Sequence, residues 1–444
     1  MNGEESPREG ELHKIISDSI SESDAGVDGL GRIRITGGIS LDGEVKIQGS
    51  KNAALPIMAA ALLNRGTTVL KGCPRIADVF LMEQILCGLG ATTCWQGDTL
   101  EICARELKSC VADKELGEKM RSSIVLLGSL LGRWGEGVLP FPGGCVIGAR
   151  PIDLHLEALR KLGAEFKEEE GCLYGRARGL RGGEITFPRS SVGATQNAVL
   201  GAVCAKGTTV IRGCSREPEV SWLCRFLNQA GGQIRGIGTS CLEIRGVSGL
   251  HDTVFQIPSD RIAAGTYVCA SAITRGKGIL LDPPVGEMGA LLKAYEKIGG
   301  QYMYKSGKLF LCSQRALGPL RWLETGIYPG FPTDLQSIFL AVLTCARGES
   351  RIRENIFEDR FKVVPQLQKM GAQITLDGRM ARIRGGRLFG TLVKAEELRG
   401  GAALVIAGLG AEGETCVENR EFIERGYEDI SRDLNDLGAR TQKD

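Results

Sequence analysis

Reactive residue types concentrate in the run Pro142-Gly143-Gly144-Cys145-Val146-Ile147-Gly148-Ala149-Arg150-Pro151-Ile152-Asp153. A thiol on a Gly-Gly hinge can swing, and a guanidinium a few residues on can lower its pKa and hold an anion. Pro151 and Asp153 stand where a helix would begin, with backbone N–H groups pointing outward. Alone, such a run would read as a surface turn. A second set of residues argues otherwise. Buried helices are expected to begin at Lys51-Asn52, Arg121-Ser122, Ser191-Val192, Asp260-Arg261, Thr333-Asp334 and Leu398-Arg399. N-capping accounts for Ser191 and Asp334. It does not account for Lys51, Arg121, Arg261 and Arg399, because cations are disfavoured at the positive end of a helix dipole. Cations beside outward N–H groups point to a bound phosphate or carboxylate. Arg150, Arg360 and Arg425 lie at similar junctions and join the set. Taken singly, each would be a solvated residue or an ion-pair partner.

The elements that must position these residues recur. An apolar helix end followed by Gly-Ala or Gly-Gly occurs at Leu89-Gly90-Ala91, Leu162-Gly163-Ala164, Ala230-Gly231-Gly232, Ile298-Gly299-Gly300, Met370-Gly371-Ala372 and Leu437-Gly438-Ala439. The period of roughly 67–73 residues implies a small αβ module repeated six times. In register with it run six small-residue helices, apolar nearly all round and therefore buried, each followed by Gly and a β-run. The unit reads strand–helix–strand–helix–strand–strand. Residues 1–30 are polar and acidic-leaning, and are expected to be a disordered extension.

The bulk composition removes several classes. With 444 residues, two or more domains are expected. The net charge of +2 gives no global pull toward nucleic acid or membrane, so an anionic ligand needs a local cluster. The 15 cysteines are scattered through apolar runs and read as small core residues in a reducing compartment. No C-x-x-C occurs and only His13, His155 and His251 are present, which argues against a metal site. His155 is expected to pack structurally. No signal peptide or membrane span is read, and a cytoplasmic enzyme fits.

Together, Gly49-Ser50-Lys51-Asn52-Ala53-Ala54-Leu55-Pro56, Met120-Arg121-Ser122-Ser123, the Gly-Gly-Cys run, Ser191-Val192-Gly193-Ala194-Thr195, Phe331-Pro332-Thr333-Asp334 and Arg425-Gly426-Tyr427-Glu428 closely resemble the UDP-N-acetylglucosamine 1-carboxyvinyltransferase family. The resemblance runs from about Ile33 to the C-terminus. It implies two inside-out αβ barrel domains, each of three βαβαββ modules, with the chain crossing near Ser50 and near Ser259. The domains would be 31–50 with 259–444, and 51–258 carrying the Cys145 loop, facing each other across a cleft.

The activity so implied moves the enolpyruvyl group of phosphoenolpyruvate to the 3′-hydroxyl of UDP-N-acetylglucosamine and releases phosphate, with no cofactor. The resemblance makes Cys145 the general acid, able also to trap phosphoenolpyruvate covalently, and Asp334 the base. It places Lys51, Asn52, Arg150, Arg360, Arg399 and Arg425 on phosphoenolpyruvate. Arg121, Arg150, Pro151, Ile152, Asp153, Leu154, Arg189, Ser190, Ser191, Val192, Asp334 and Ile356 match nucleotide-sugar positions. The chain departs from the family's usual run at Ala263 (commonly Glu), Glu397 (Asp), Asp359 (Asn) and Arg189 (Lys). Ala263 removes a carboxylate beside Arg261 and is expected to disturb closure between the domains, with activity retained. The other readings are a related enolpyruvyl transfer to another acceptor, a catalytically weak nucleotide-sugar-binding regulator, and, more remotely, an enzyme of the RNA-phosphate cyclase type.

Overall fold

The computed structural model describes residues 31–141 and 151–444. The expectations for residues 1–30, for Cys145 and for Arg150 lie outside the described residues.

The six expected helices are present, and their burial explains their composition. They are Lys51–Ala61, Leu126–Trp134, Val192–Ala202, Arg261–Ile273, Gln336–Leu343 and Leu398–Gly410. Every residue of Arg261–Ile273 is buried. Such a helix has no solvent face to make polar, so it is apolar all round. Small residues allow close approach: a Cβ at Gly128 would lie 2.5 Å from the carbonyl oxygen of Asn197 on the neighbouring helix.

The more amphipathic helices and the sheets wrap these central helices. The apolar interior forms two clusters. One runs from Ala53 to Ile257; the other joins Ile33–Ile47 to Ile262–Ala439. Each half thus has helices inside and sheets outside, in three modules. The six repeated glycines (Gly90, Gly163, Gly231, Gly299, Gly371 and Gly438) all have φ between 94° and 104°. A left-handed residue is what ends a helix so that the next residue can bond back to it. In the first copy, Gly90 N donates to Cys87 O and Ala91 N to Leu86 O.

The modules are less contiguous than the repeat suggests. Within one module, Glu184–Thr186 runs parallel to Thr208–Arg212, which pairs antiparallel with Cys241–Arg245, which in turn pairs with Gln233–Arg235. The first module borrows its parallel strand, Thr253–Gln256, from the far end of its half. Glu44–Lys46 is lent in the same way to Lys277–Leu281. The N-terminal strand Arg32–Thr36 sits between Glu414–Glu418 and Arg440–Lys443, closing the last sheet. In the second module the parallel strand shrinks to a single bridge, Val111 to Val138, leaving a three-stranded sheet. A helix, Lys114–Lys119, capped by Asp113, begins just after Val111 and takes up the chain that would have extended that strand.

The two crossings between halves are hydrogen-bonded to each other. Ser50 N donates to Pro258 O at 2.7 Å and Asp260 N to Gln48 O at 2.9 Å. Lys51 and Arg261, the first residues of two central helices, are thereby held side by side at the junction.

The cysteine expectation needs correcting. Among the described residues only Cys73, Cys214, Cys224 and Cys269 are buried. Cys103, Cys172, Cys241 and Cys312 are the first or last residues of strands, where the alternation of the pleat leaves them partly exposed. No helix among the described residues is long and apolar enough to cross a membrane.

Candidate active site

Four central helices are capped by a side chain at their start. Ser50 Oγ accepts from Ala53 N, Ser191 Oγ from Ala194 N, and Asp260 from Ile262 N and Ala263 N. Glu397 accepts from Arg399 N and Gly400 N, so the longer acid still caps where Asp is usual. The other two helices are entered through 3-10 turns, Arg121–Val125 and Thr333–Leu335, without a side-chain cap. Asp334, expected as a cap, therefore does not cap. Its carboxylate is taken instead by cations.

Arg360 Nη2 donates to Asp334 Oδ1 at 2.8 Å, and Arg399 Nη2 to Asp334 Oδ2 at 3.1 Å. Asn52, from the other half, reaches Asp334 Oδ2 at 3.5 Å. Arg360 also donates through Nε to Thr333 O at 3.2 Å, and its Nη1 lies 3.8 Å from Glu397. Both guanidiniums are buried, whereas the Asp334 side chain keeps 28% of its surface exposed. Burial alone would lower the Arg399 pKa; Asp334, Tyr427 and Asp260 outweigh it and raise it. The acid is thus the accessible member of a triangle whose two cations form the wall.

Beside it lies a second cluster that spans the halves. The Lys51 ammonium is 2.6 Å from Asp78, and Arg425 Nε is 2.8 Å from the same carboxylate. Burial holds Lys51 below the ordinary lysine value, with Asp78 opposing. Burial would raise the Asp78 pKa, but Lys51 and Arg425 hold it below the usual carboxylate range. Lys51 N also donates to Asp260 at 3.2 Å. The structure therefore brings Lys51, Asn52, Asp334, Arg360, Arg399 and Arg425 together. Asp78, which sequence reasoning missed, joins two of them. Its signal was slight: one acid in the first turn of a largely apolar helix, Ala77–Gly88, which carries a second acid at Glu83.

Apart from Asp334 and Ile356, the described nucleotide-sugar candidates lie on the half that contains residue 121. Arg189 pairs with Asp153 at 3.0 Å, both partners well exposed. Ser191 is used as a helix cap, with Ser190 and Val192 on either side of it. Ile152 and Leu154 are buried in the core, so among these candidates they offer backbone rather than side chain. Pro151 is exposed and Arg121 opens its 3-10 turn. Ile356 stands apart in sequence, half-buried, its N–H held by Glu354.

His155 is a packing residue, as expected. Asn197 Nδ2 donates to His155 Nδ1 at 2.8 Å and to Ile124 O, while Asn197 Oδ1 accepts from Gly128 N. Burial, aided by Arg121, lowers the imidazole pKa to about 4.

Ala263 does not leave Arg261 without an acid. Glu219, from the other half, accepts from Arg261 Nε at 2.9 Å and Nη2 at 3.3 Å. Trp222 Nε1 to Glu287 at 2.7 Å and Arg216 to Tyr328 O at 3.2 Å extend this inter-half contact. The counterion of Arg261 thus comes across the junction.

This architecture is that of the enolpyruvyl transferases. Residues 35–434 match the EPSP synthase (3-phosphoshikimate 1-carboxyvinyltransferase) family. The fold superposes on the enolpyruvyl transferase NikO from Streptomyces tendae with a TM-score of 0.82, at 23% identity over 94% of this chain and 99% of that one. An EPSP synthase from Acinetobacter baumannii gives 0.72 at 18% identity, over 93% of this chain and 100% of that one.

Within that class the chain belongs to the UDP-N-acetylglucosamine 1-carboxyvinyltransferase family. It is 44% identical to UDP-N-acetylglucosamine 1-carboxyvinyltransferase 2 of Caldanaerobacter subterraneus subsp. tengcongensis, over 92% of this chain and 99% of that protein. It is 42% identical to the enzyme of that name from Oleidesulfovibrio alaskensis, over 92% and 98%.

Proposed function

We propose that this protein transfers the enolpyruvyl group of phosphoenolpyruvate to the 3′-hydroxyl of UDP-N-acetylglucosamine, releasing phosphate, as the first committed step of peptidoglycan synthesis. It would act in the cytoplasm, serving cell-wall biogenesis and, through it, cell shape and division. The observation that carries this reading is the meeting of two cation groups with one accessible carboxylate where the halves join. Lys51 and Arg425 converge from opposite halves, and Arg360 and Arg399 flank Asp334. A phosphoryl and carboxyl substrate needs two sites of positive charge, and an acceptor hydroxyl needs a base beside them.

In this reading Lys51, Arg425 and Arg150 hold the phosphate, and Arg399 and Arg360 face the carboxylate side. Asn52 contacts both substrates. The acceptor oxygen attacks C2 of the enol phosphate while Asp334 takes its proton. Cys145 delivers a proton to the methylene carbon, giving a tetrahedral ketal. Loss of that methyl's proton together with phosphate restores the double bond, so atoms balance over the two steps. With the same proton delivery, the Cys145 sulfur can instead add to C2 and hold phosphoenolpyruvate as a covalent adduct. Arg121, Arg150, residues 151–154, residues 189–192, Asp334 and Ile356 take the nucleotide sugar. Two domains, 51–258 and 31–50 with 259–444, would close on both substrates.

The test is phosphate release from phosphoenolpyruvate, with and without UDP-N-acetylglucosamine, for the native chain and for Cys145→Ala. Release that needs both the nucleotide sugar and Cys145 is expected. Binding of the nucleotide sugar with no release by the native chain would overturn the transferase reading.

A further inference from the structure

Glu354 is the most buried acid beside the proposed acceptor site, with none of its surface exposed. A carboxylate so placed needs hydrogen-bond donors for both oxygens. It has three, and each belongs to a segment that the proposed reaction uses. Oε1 accepts from Ile356 N at 2.7 Å and from Phe357 N at 3.1 Å. Oε2 accepts from Thr333 Oγ1 at 3.1 Å. One side chain therefore ties the nucleotide-sugar candidate Ile356 to the residue that precedes Asp334.

The mounting is rigid. Glu354 follows the strand Glu349–Arg353, which lies between Leu323–Glu324 and Met380–Arg384 in its sheet. Its own N–H is bound to Arg379 O at 2.9 Å. The next residue, Asn355, is fastened to Thr325 through both backbone and side chain. Thr333 is gripped from two sides, at its hydroxyl by Glu354 and at its carbonyl by Arg360, which also binds Asp334. Asp334 follows Thr333 in the same short 3-10 turn, so the hold on Thr333 sets its backbone while Arg360 and Arg399 hold its carboxylate.

We propose that Glu354 is the positioning residue of the acceptor side: it sets the Thr333-Asp334 turn and the Ile356-Phe357 backbone at a fixed separation, so that the acceptor hydroxyl meets Asp334. This rests on the transferase reading above. It separates Glu354 from the donor side, where Lys51 and Arg425 answer to Asp78.

Steady-state kinetics and calorimetric UDP-N-acetylglucosamine binding on the full chain test it, with Glu354→Ala, Glu354→Gln and Thr333→Val. Glu354→Ala is expected to lower kcat/KM for UDP-N-acetylglucosamine by about 10- to 100-fold, the scale of a misplaced reacting group, with KM for phosphoenolpyruvate within about twofold of native. Thr333→Val is expected to shift the same parameters in the same direction by less. Glu354→Gln keeps an oxygen for the two backbone donors and places an amide against the Thr333 hydroxyl, which can then accept; it is expected to restore most of the loss. Equal losses on both substrates without rescue by Gln would overturn the proposal as general damage, and so would a folded Glu354→Ala with native kinetics. If Glu354→Ala does not fold, Thr333→Val decides by the same criteria. A native chain that binds nucleotide sugar but releases no phosphate would overturn the transferase reading, and this proposal with it; native turnover with unaffected variants would overturn this proposal alone.

Discussion

The two sides of the candidate site are built on opposite electrostatic plans. On the donor side Arg360 and Arg399 are buried and Lys51 is nearly so, and each is paired with a carboxylate: the buried Asp78 for Lys51, the partly exposed Asp334 for the other two. On the nucleotide side the charged pair Arg189 with Asp153 stands in solvent, and Ser191 is used as a cap. A buried charge without a partner costs several kcal/mol, whereas an exposed pair gains little. The donor side is therefore ordered from within. The nucleotide side presents a surface on which order must come from other contacts.

The largest effect that can break this comparison is on turnover at Asp334. Asp334→Ala is expected to cut kcat by about 10²–10⁴-fold, the range for a lost general base, while calorimetry still detects bound nucleotide sugar. Near-native turnover would remove Asp334 from the base role and leave its guanidinium pairs as structure only.

Next in size is Asp78→Ala, which strands Lys51 beside Arg425. Breaking one partner of a buried pair is expected to cost about 3–5 kcal/mol, read as a lower urea midpoint, with a raised KM for phosphoenolpyruvate. An unchanged midpoint would mean that the donor side is not held by its internal acid.

His155 sharpens the picture through pH. Its folded pKa is about 4 against an unfolded value of about 6.5, so between the two only the unfolded chain takes up the proton. Its contribution is complete above the unfolded value and is lost as pH falls through the folded one. The loss amounts to about 3 kcal/mol at most, at 1.36 kcal/mol per pKa unit. His155→Gln is expected to flatten the fall in stability between about pH 6.5 and pH 4; an unchanged slope would show that other groups control it.

The smallest effect is expected at the exposed pair. Arg189→Ala should change stability by less than about 1 kcal/mol and weaken nucleotide-sugar binding in a salt-dependent way. A loss comparable to that of Asp78→Ala would erase the contrast between the two sides.

Local chemistry made part of this legible in advance. Each central helix could be found because burial demands an apolar circumference, and each Gly-Ala stop because a left-handed residue ends the following helix. Ser191 reads as a cap for the same kind of reason. Asp334 reads as one too, but the structure gives its carboxylate to Arg360 and Arg399, since two buried guanidiniums compete better for it than a backbone N–H. Asp78, Glu219 and Glu354 are ordinary acids in sequence. Their roles depend on partners in other modules, and no local pattern encodes those partners.

Sequence alone settles the repeated module, four of the six central helix starts and the family, because these rest on short-range spacing and on residue types that a run of chain carries with it; the other two helices begin later, at Leu126 and Gln336, after 3-10 turns. Tertiary structure alone decided which carboxylate answers which cation: Asp78 for Lys51 and Arg425, Glu219 for Arg261, Glu354 for the turn before Asp334. It also decided the strand exchanges that bring Thr253–Gln256 to Thr67–Lys71 and Arg32–Thr36 to the last sheet. Ion pairing and strand pairing are contacts between positions far apart in the chain. They are selected by where the modules dock, and docking is a property of the assembled core.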